Sequence, residues 1–138
     1  MNLLRELLDV APLDPNVRRT PAPEGKIRLH LFCGSFETED DLLAYCFDAP
    51  SENDPEPLTK DLPEAFVDTT YVVTGYERGV GEALADFFTV EESDAVLAQI
   101  GGKNSLVILS EHAFGGMDYS LNDTPRLRYL GARFVDLP

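Results

Sequence analysis

The segment CGSFETEDD, residues 33–41, contains the first residues whose types and spacing could do chemistry. A Gly-Ser pair between an apolar run and a helix is where proteins often bind phosphate or place a nucleophile. Four carboxylates lie at the start of the predicted helix: Glu37, Glu39, Asp40 and Asp41. They would occupy the positive end of the helix dipole and repel a phosphate. A nucleophile elbow requires glycine at position 37, so we predict that Ser35 is a turn residue.

The two histidines and two cysteines are not arranged as a known metal-binding or catalytic motif. They lack HExxH spacing and paired CxxC spacing, so we expect no bound metal. His30 and Cys33 lie on one predicted strand at a spacing that points their side chains to opposite faces. Cys33 and Cys46 should be separate buried thiols, because strand and helix hold them ~12 Å apart. We therefore predict neither a catalytic centre nor a cofactor.

Carboxylates are concentrated in the middle of the chain. The net charge is −14, and residues 37–94 contain seventeen Asp and Glu against only Lys60 and Arg78. Such a segment repels nucleic acid and anionic membranes and attracts a basic partner. We predict partner-binding residues in the acidic helix start and the loop that follows: Glu37, Glu39, Asp40, Asp41, Glu52, Asp54, Glu56 and Asp61. The alternative is an acidic surface that only maintains solubility.

The elements that position these residues are predicted to form one domain behind a short arm. A chain of 138 residues can bury a core without metals or disulfides. Residues 1–25 are predicted as an arm, with a short amphipathic helix over 2–10 followed by a proline-rich stretch. Residues 26–138 form the predicted domain. We recognise no signal peptide and no apolar run near ~18 residues, so we expect a cytoplasmic protein.

The first half of the domain alternates between strand and helix patterns. KIRLHLFC, residues 26–33, has the period-2 alternation of a half-buried strand with one partly polar face. Thr38 is a predicted N-cap for a helix that ends near Asp48. Its predicted buried stripe consists of Leu42, Leu43, Cys46 and Phe47. The following residues, 49–66, are rich in proline and acids and predict a long mobile loop.

The second half of the domain contains further strands and helices. Residues 68–76 predict a strand, Val80 to Phe88 have helical spacing, and Thr89 with Glu92 form a capping-box pattern. LVILS at 106–110 is typical of a central strand covered on both faces. A last strand is predicted over 126–137, with a bulge at Gly131. The order indicates a single α+β domain, with a mainly antiparallel or mixed sheet and helices packed on one face.

Three segments are similar to parts of a known family. IRLHLFCGSFETEDDLLAYC at 27–46 is similar to an opening strand, a Gly-x-Phe turn and an acidic helix. GGKNSLVILSEHAF at 101–114 and RLRYLGARFVD at 126–136 are similar to a later apolar strand and a closing strand. In this order they resemble the immunity protein 22 family. The resemblance implies a bacterial cytoplasmic protein that binds and silences a cognate polymorphic toxin without catalysis.

Three functions therefore remain open. The first is a non-catalytic protein that neutralises a basic toxin domain, such as a nuclease, through its acidic surface. The second is a small ligand-binding or enzymatic domain with a pocket near His30 or His112. The third is a subunit that self-associates through an edge strand. A pocket lined by convergent polar groups would favour the second function over the first.

Overall fold

The computed structural model describes residues 5–7, 9–10 and 22–137. The described strands are β1 (Arg5–Leu7), β2 (Asp9–Val10), β3 (Lys26–Gly34), β4 (Val72–Tyr76), β5 (Ser105–Ser110) and β6 (Leu127–Asp136). The last four form one antiparallel sheet in the order β4-β5-β3-β6. The predicted single α+β domain with a mainly antiparallel sheet is confirmed.

Helices cover both faces of this sheet. They are α1 (Glu39–Phe47), α2 (Pro57–Asp61), α3 (Arg78–Ala85) and α4 (Val90–Ile100), with 3-10 turns at Thr69–Tyr71 and Glu111–Phe114. One core contains residues of α1, α2 and the Glu111–Phe114 turn, and the other contains residues of α3 and α4. The prediction of helices on one face is therefore corrected. The reason lies in β5, whose continuous apolar sequence must be buried on both sides.

The polar face of β3 is buried, which corrects the prediction of a half-buried strand. Arg28 is 8% exposed and His30 is 1% exposed. Arg28 donates to the carboxylate of Glu111 at 3.0 Å. The His30 ring is hydrogen-bonded at both nitrogens. Polar side chains can be buried in this way because their hydrogen-bonding groups are satisfied.

The bulge predicted at Gly131 is confirmed. Leu31 pairs with Gly131 and Phe32 pairs with Tyr129, so Leu130 is an extra residue on β6. Gly131 has a φ of 100°, a conformation that glycine adopts without steric cost. The bulge leaves Tyr129 on the same face as His30, where their side chains meet.

The predicted capping residues are confirmed in α1 and α4. The Thr38 hydroxyl accepts from the Asp41 N–H at 3.1 Å, and Thr89 with Glu92 forms a reciprocal capping box. The buried stripe of α1 differs from the prediction, since it consists of Leu42, Tyr45 and Cys46. Leu43 and Phe47 are 36% and 37% exposed. The inward face follows i, i+3, i+4 spacing from Leu42, which excludes Leu43 and Phe47.

The predicted mobile loop over 49–66 is wrong in part, because it contains α2. Pro57 is the first residue of this helix. A backbone N–H at that position would have no acceptor within the helix, so proline costs no hydrogen bond there. Leu58 within α2 is 0% exposed, and Leu62, the residue that follows α2, is 2% exposed. Burial of these two leucines stabilises a short helix that proline-rich composition alone disfavours.

We expect a protease that cleaves after acidic residues to distinguish the two parts of this segment. Glu52 and Asp54 are exposed in the connection before α2, whereas Asp61 is half-buried at the end of α2. Cleavage requires a locally unfolded backbone, and Pro55 blocks a cut after Asp54, so the first cut in this segment should follow Glu52. Mass spectrometry of a timed digest identifies the site. A first cut at Asp61 would contradict the packing of α2.

The N-terminal arm differs from its prediction where it is described. Arg5–Leu7 and Asp9–Val10 are short strands paired with each other, in place of the helix predicted over 2–10. An isolated helix of this length has too few hydrogen bonds to offset the cost of nucleation. The proline-rich continuation lies outside the described residues as far as position 21, and the domain boundary at residue 25 stays a prediction.

Candidate functional site

A groove of about 650 Å³ lies between α1, α2 and the residues that precede β6. One side of it is a stripe along α1 and the residues next to it: Glu37, Asp41, Ala44, Tyr45 and Asp48. This spacing of three, four and seven residues is that of a single helical face. Pro57 and Asp61 of α2 line the opposite side, and Arg126 completes the lining. We call this feature the acidic groove.

The acidic groove contains four carboxylates and one cation. The carboxylates belong to Glu37, Asp41, Asp48 and Asp61. The Arg126 guanidinium lies 4.3 Å from the centre of the Phe36 ring, a cation–π contact. Among residues 22–137, Arg126 makes no ion pair with any carboxylate. The groove therefore has a negative potential that would attract a cationic group.

Tyr45 joins the elements that form the acidic groove. Its hydroxyl donates to the Asp61 carboxylate at 2.7 Å and lies 2.9 Å from the Thr124 hydroxyl. Burial raises the pKa of Tyr45, so the phenol keeps its proton and remains a donor. The phenol thus holds α1 against α2 and against the segment before β6. Asp61 is oriented into the groove by this contact.

The start of α1 is held by two side chains from the sheet side. Asn104 accepts from the Phe36 N–H at 3.1 Å and donates to the Phe36 carbonyl at 2.8 Å. The Tyr76 hydroxyl donates to the Glu37 carbonyl at 3.0 Å. Partial burial raises the pKa of Tyr76, and nearby carboxylates, Asp41 among them, raise it further. These contacts position Glu37 at one end of the acidic groove.

The structure brings together only part of the predicted partner-binding set. Glu37, Asp41 and Asp61 line the acidic groove, whereas five others do not: Glu39, Asp40, Glu52, Asp54 and Glu56. Asp54 accepts from the Ser51 hydroxyl, and Glu56 accepts from the Thr59 hydroxyl. Glu39, Asp40, Glu52 and Asp54 are exposed, and Glu56 is half-buried.

Two charged residues of the acidic groove were missed by the sequence-based prediction. Asp48 could have been found, because it continues the helical stripe from Glu37 through Asp41 and Tyr45. Arg126 is far from these residues in sequence and gives no local signal. Its position depends on how β6 pairs with β3, where Leu127 lies opposite Gly34.

The alternative prediction was a ligand pocket near His30 or His112. His30 cannot contact a ligand, so only His112 could contribute to such a pocket. Its Nδ1 lies 2.7 Å from the Tyr129 hydroxyl, and its Nε2 lies 2.7 Å from the Tyr119 hydroxyl. Burial, and secondarily the Arg28 charge, lowers the pKa of His30 to about 3. The ring is therefore neutral near pH 7, with one nitrogen donating and the other accepting.

His112 is exposed and lines a second cavity. That cavity has a volume of about 500 Å³ and a mainly apolar lining that includes Ile27, Val73 and Ile108. The His112 ring centre lies 5.6 Å from that of Tyr71. Of the two predicted histidines, only His112 is placed where a ligand could reach it.

The two cysteines are placed as predicted. Cys33 and Cys46 are free and buried, and burial raises the pKa of Cys46 to about 12. Ser35 is exposed just after β3. Within the described part of the chain, no three His, Cys, Asp or Glu side chains form a group that could hold a metal ion.

No family model, curated protein or solved structure matches this chain. The resemblance to the immunity protein 22 family therefore rests on its three sequence segments and stays a prediction. Across the part of the chain that the structure describes, no helix has the length and apolar character needed to cross a membrane.

Proposed function

We propose that this protein is a non-catalytic immunity protein that neutralises a bacterial toxin by binding a basic surface of the toxin. The observation that carries the proposal is the acidic groove, where four carboxylates from α1, α2 and adjacent residues meet around one arginine. The sequence resemblance supports the same function independently. A toxin that cleaves nucleic acid is the best fit, because its substrate-binding surface must be basic.

The chemistry of recognition follows from the groove. Carboxylates at Glu37, Asp41 and Asp48 would accept charge-assisted hydrogen bonds from arginine or lysine side chains of the toxin. Asp61 uses one carboxylate oxygen for Tyr45 and is thereby fixed in position. The protein would act by occupying the nucleic-acid surface of the toxin, with carboxylates in place of phosphates.

The exposed acids outside the groove would act mainly on the rate of encounter. Glu39 and Asp40 lie in the first turn of α1, and Glu52 and Asp54 lie in the connection before α2. Exposed charges near an interface accelerate association through long-range attraction and contribute little to the contact itself. The predicted set thus contains three groove residues, four residues that accelerate association, and Glu56, which accepts from the Thr59 hydroxyl.

We expect reversal of the groove charges to abolish most of the toxin affinity. In the variant Glu37→Lys/Asp41→Lys/Asp48→Lys, association should slow by about tenfold or more, and dissociation should also accelerate. The partner for this test is the cognate toxin, which we expect to be encoded directly upstream of an immunity protein. Surface plasmon resonance at about 0.05 M and about 0.5 M salt measures both rates and their screening.

The matched control is Glu82→Lys/Asp86→Lys/Glu91→Lys, three exposed acids of α3, α4 and their junction. Both variants change the net charge equally, and each alters one acid in the first turn of a helix. Circular dichroism must show that both are folded. Equal effects of the two variants would show that only net charge matters, and would remove the acidic groove from the interface.

A further inference from the structure

A second polar cavity lies on the other side of Arg126 from the acidic groove. Its volume is about 700 Å³, and it is formed by the end of β3, the C-terminal end of α4 and the residues that enter β6. Three cationic residues are among those that line it: Lys103, Arg126 and Arg128. We call it the cationic cavity. Arg126 lines both this cavity and the acidic groove.

The charge of the cationic cavity is opposite to that of the protein. The chain carries a net charge of −14, yet three cations and only one carboxylate, Asp123, line this cavity. The Asp123 carboxylate accepts from the Tyr129 N–H at 2.7 Å. Among the residues that the structure describes, none of the three cations forms an ion pair.

Two of these cations also have roles in the fold. Arg128 donates to the Gln99 carbonyl in the last turn of α4, where a cation also interacts favourably with the helix dipole. Arg126 lies over the Phe36 ring. A guanidinium has five N–H donors, so neither role exhausts its hydrogen-bonding capacity. Lys103 is exposed. Among the described residues, its side chain has no hydrogen-bond or ion-pair partner that would explain its place in the lining.

The Gly-Ser segment that suggested phosphate chemistry in the sequence faces this cavity. Gly34 and Ser35 line it, whereas Glu37 and Asp41 line the acidic groove instead. The carboxylates that disfavour a phosphate at the N-terminus of α1 are therefore absent from the lining of the cationic cavity. The exposed Ser35 hydroxyl is a hydrogen-bond donor that a phosphate oxygen accepts.

We propose that the cationic cavity binds a phosphate-bearing small molecule. Three cations against one carboxylate match the charge of about −1.5 to −2 on a phosphate monoester near pH 7. Arginine favours phosphate because its planar fork donates two parallel hydrogen bonds. The cavity is large enough for an organic group in addition to the phosphate. Lys103, Arg126 and Arg128 bind the phosphate oxygens, with Ser35 as a further donor, and this proposal does not rest on the proposed toxin binding.

The experiment is an NMR titration of the full-length protein with pyrophosphate and, separately, with ADP. Both are added up to about 10 mM, which would fill most of a site with a Kd near 1 mM. Amide signals of Ser35, Gly101 and Lys103, which line the cavity, should shift, and those of residues in α2 should not. Lys103→Ala and Arg126→Ala should each raise Kd about tenfold, as expected for loss of one charged hydrogen-bonding partner.

Lys60→Ala is the matched control, because Lys60 is an exposed lysine on α2 outside the cavity. Its Kd should equal that of the unaltered protein. Tighter binding of ADP than pyrophosphate would show that the organic group contributes, and equal binding would assign the site to phosphate groups alone. The proposal is overturned if these amides do not shift, if sodium chloride at equal ionic strength gives the same shifts, or if Lys60→Ala weakens binding as much as Lys103→Ala.

Discussion

Lowering the pH from about 7 to about 4 should remove roughly 3 kcal/mol of folding stability through His30 alone. In the folded protein the pKa of His30 is about 3, against an ordinary value of 6.5. Between these values the unfolded chain binds a proton that the folded protein does not bind. Stability must therefore fall as the pH decreases from about 6.5 towards about 3, and the full contribution of His30 is present only above about 6.5.

The physical cause is the enclosure of the imidazole. The ring is 1% exposed and lies edge-on to Phe114 and Tyr119. A proton on this ring would have to be accommodated without water, close to the positive charge of Arg28. The aromatic rings and tyrosine hydroxyls provide the packing and hydrogen bonds of the neutral imidazole. They cannot replace the water that would hydrate the protonated imidazole.

The two histidines of the chain provide the test and its control. His30→Gln retains a polar side chain without a group that titrates, whereas His112→Gln alters the exposed histidine. Urea unfolding at several pH values between about 4 and about 7 gives the free energy of unfolding for each protein. The loss of stability on acidification should be smaller by roughly 3 kcal/mol in His30→Gln and unchanged in His112→Gln.

Both variants retain every Asp and Glu residue, so any contribution of the carboxyl groups cancels in the comparison. His30→Gln is expected to be less stable than the unaltered protein at pH 7, because the hydrogen bonds of the imidazole with Tyr119 and Tyr129 are lost. If it loses as much stability on acidification as the unaltered protein, His30 is not held neutral by burial and the prediction is wrong.

The substitution Gly34→Ala is the second change with a large expected effect. A Cβ at this position would overlap the Arg126 carbonyl oxygen and lie 3.0 Å from Leu127 Cδ2. Gly34 is the last residue of β3 and pairs with both Ser105 and Leu127. The backbone on either side is therefore fixed by the sheet. We expect destabilisation by roughly 1–3 kcal/mol, because relief of the overlap requires movement of β6.

Gly79→Ala is the matched control for this substitution. Gly79 lies within α3, and a Cβ there would have no heavy atom within 4 Å. Alanine should stabilise the helix by roughly 0.5–1 kcal/mol, since glycine is the poorer helix former. The two identical chemical changes should thus have opposite signs in urea unfolding. A Gly34→Ala variant as stable as the unaltered protein would show that β6 can move away from β3 at no cost.

Gly34→Ala also tests whether the acidic groove and the cationic cavity both depend on the position of the chain at Arg126. Arg126, whose carbonyl oxygen limits the space at Gly34, lines both the acidic groove and the cationic cavity. A displacement of β6 at this point would move the Arg126 guanidinium relative to the acidic groove and the cationic cavity. Pyrophosphate binding and toxin association should therefore both weaken in the folded fraction of this variant.

Local features of this protein could be predicted from its sequence. Alternation in KIRLHLFC and the apolar run LVILS predict β3 and β5, and Thr38, Thr89 and Gly131 predict two caps and a bulge. Each of these features depends on neighbours within a few residues, so the chain order of residue types carries the information. The carboxylate-rich helix start was recognised for the same reason.

Contacts between distant segments were decided only by the tertiary structure. The sequence placed His30 on a polar strand face, yet Tyr119 and Tyr129 enclose it, because the chain returns across that face after β5. The short α2 was missed, since its stability comes from the burial of Leu58 rather than from helix propensity. Arg126 separates a negative groove from a positive cavity only because β6 pairs with β3, and sequence periodicity contains no information on which distant side chains such pairing brings together.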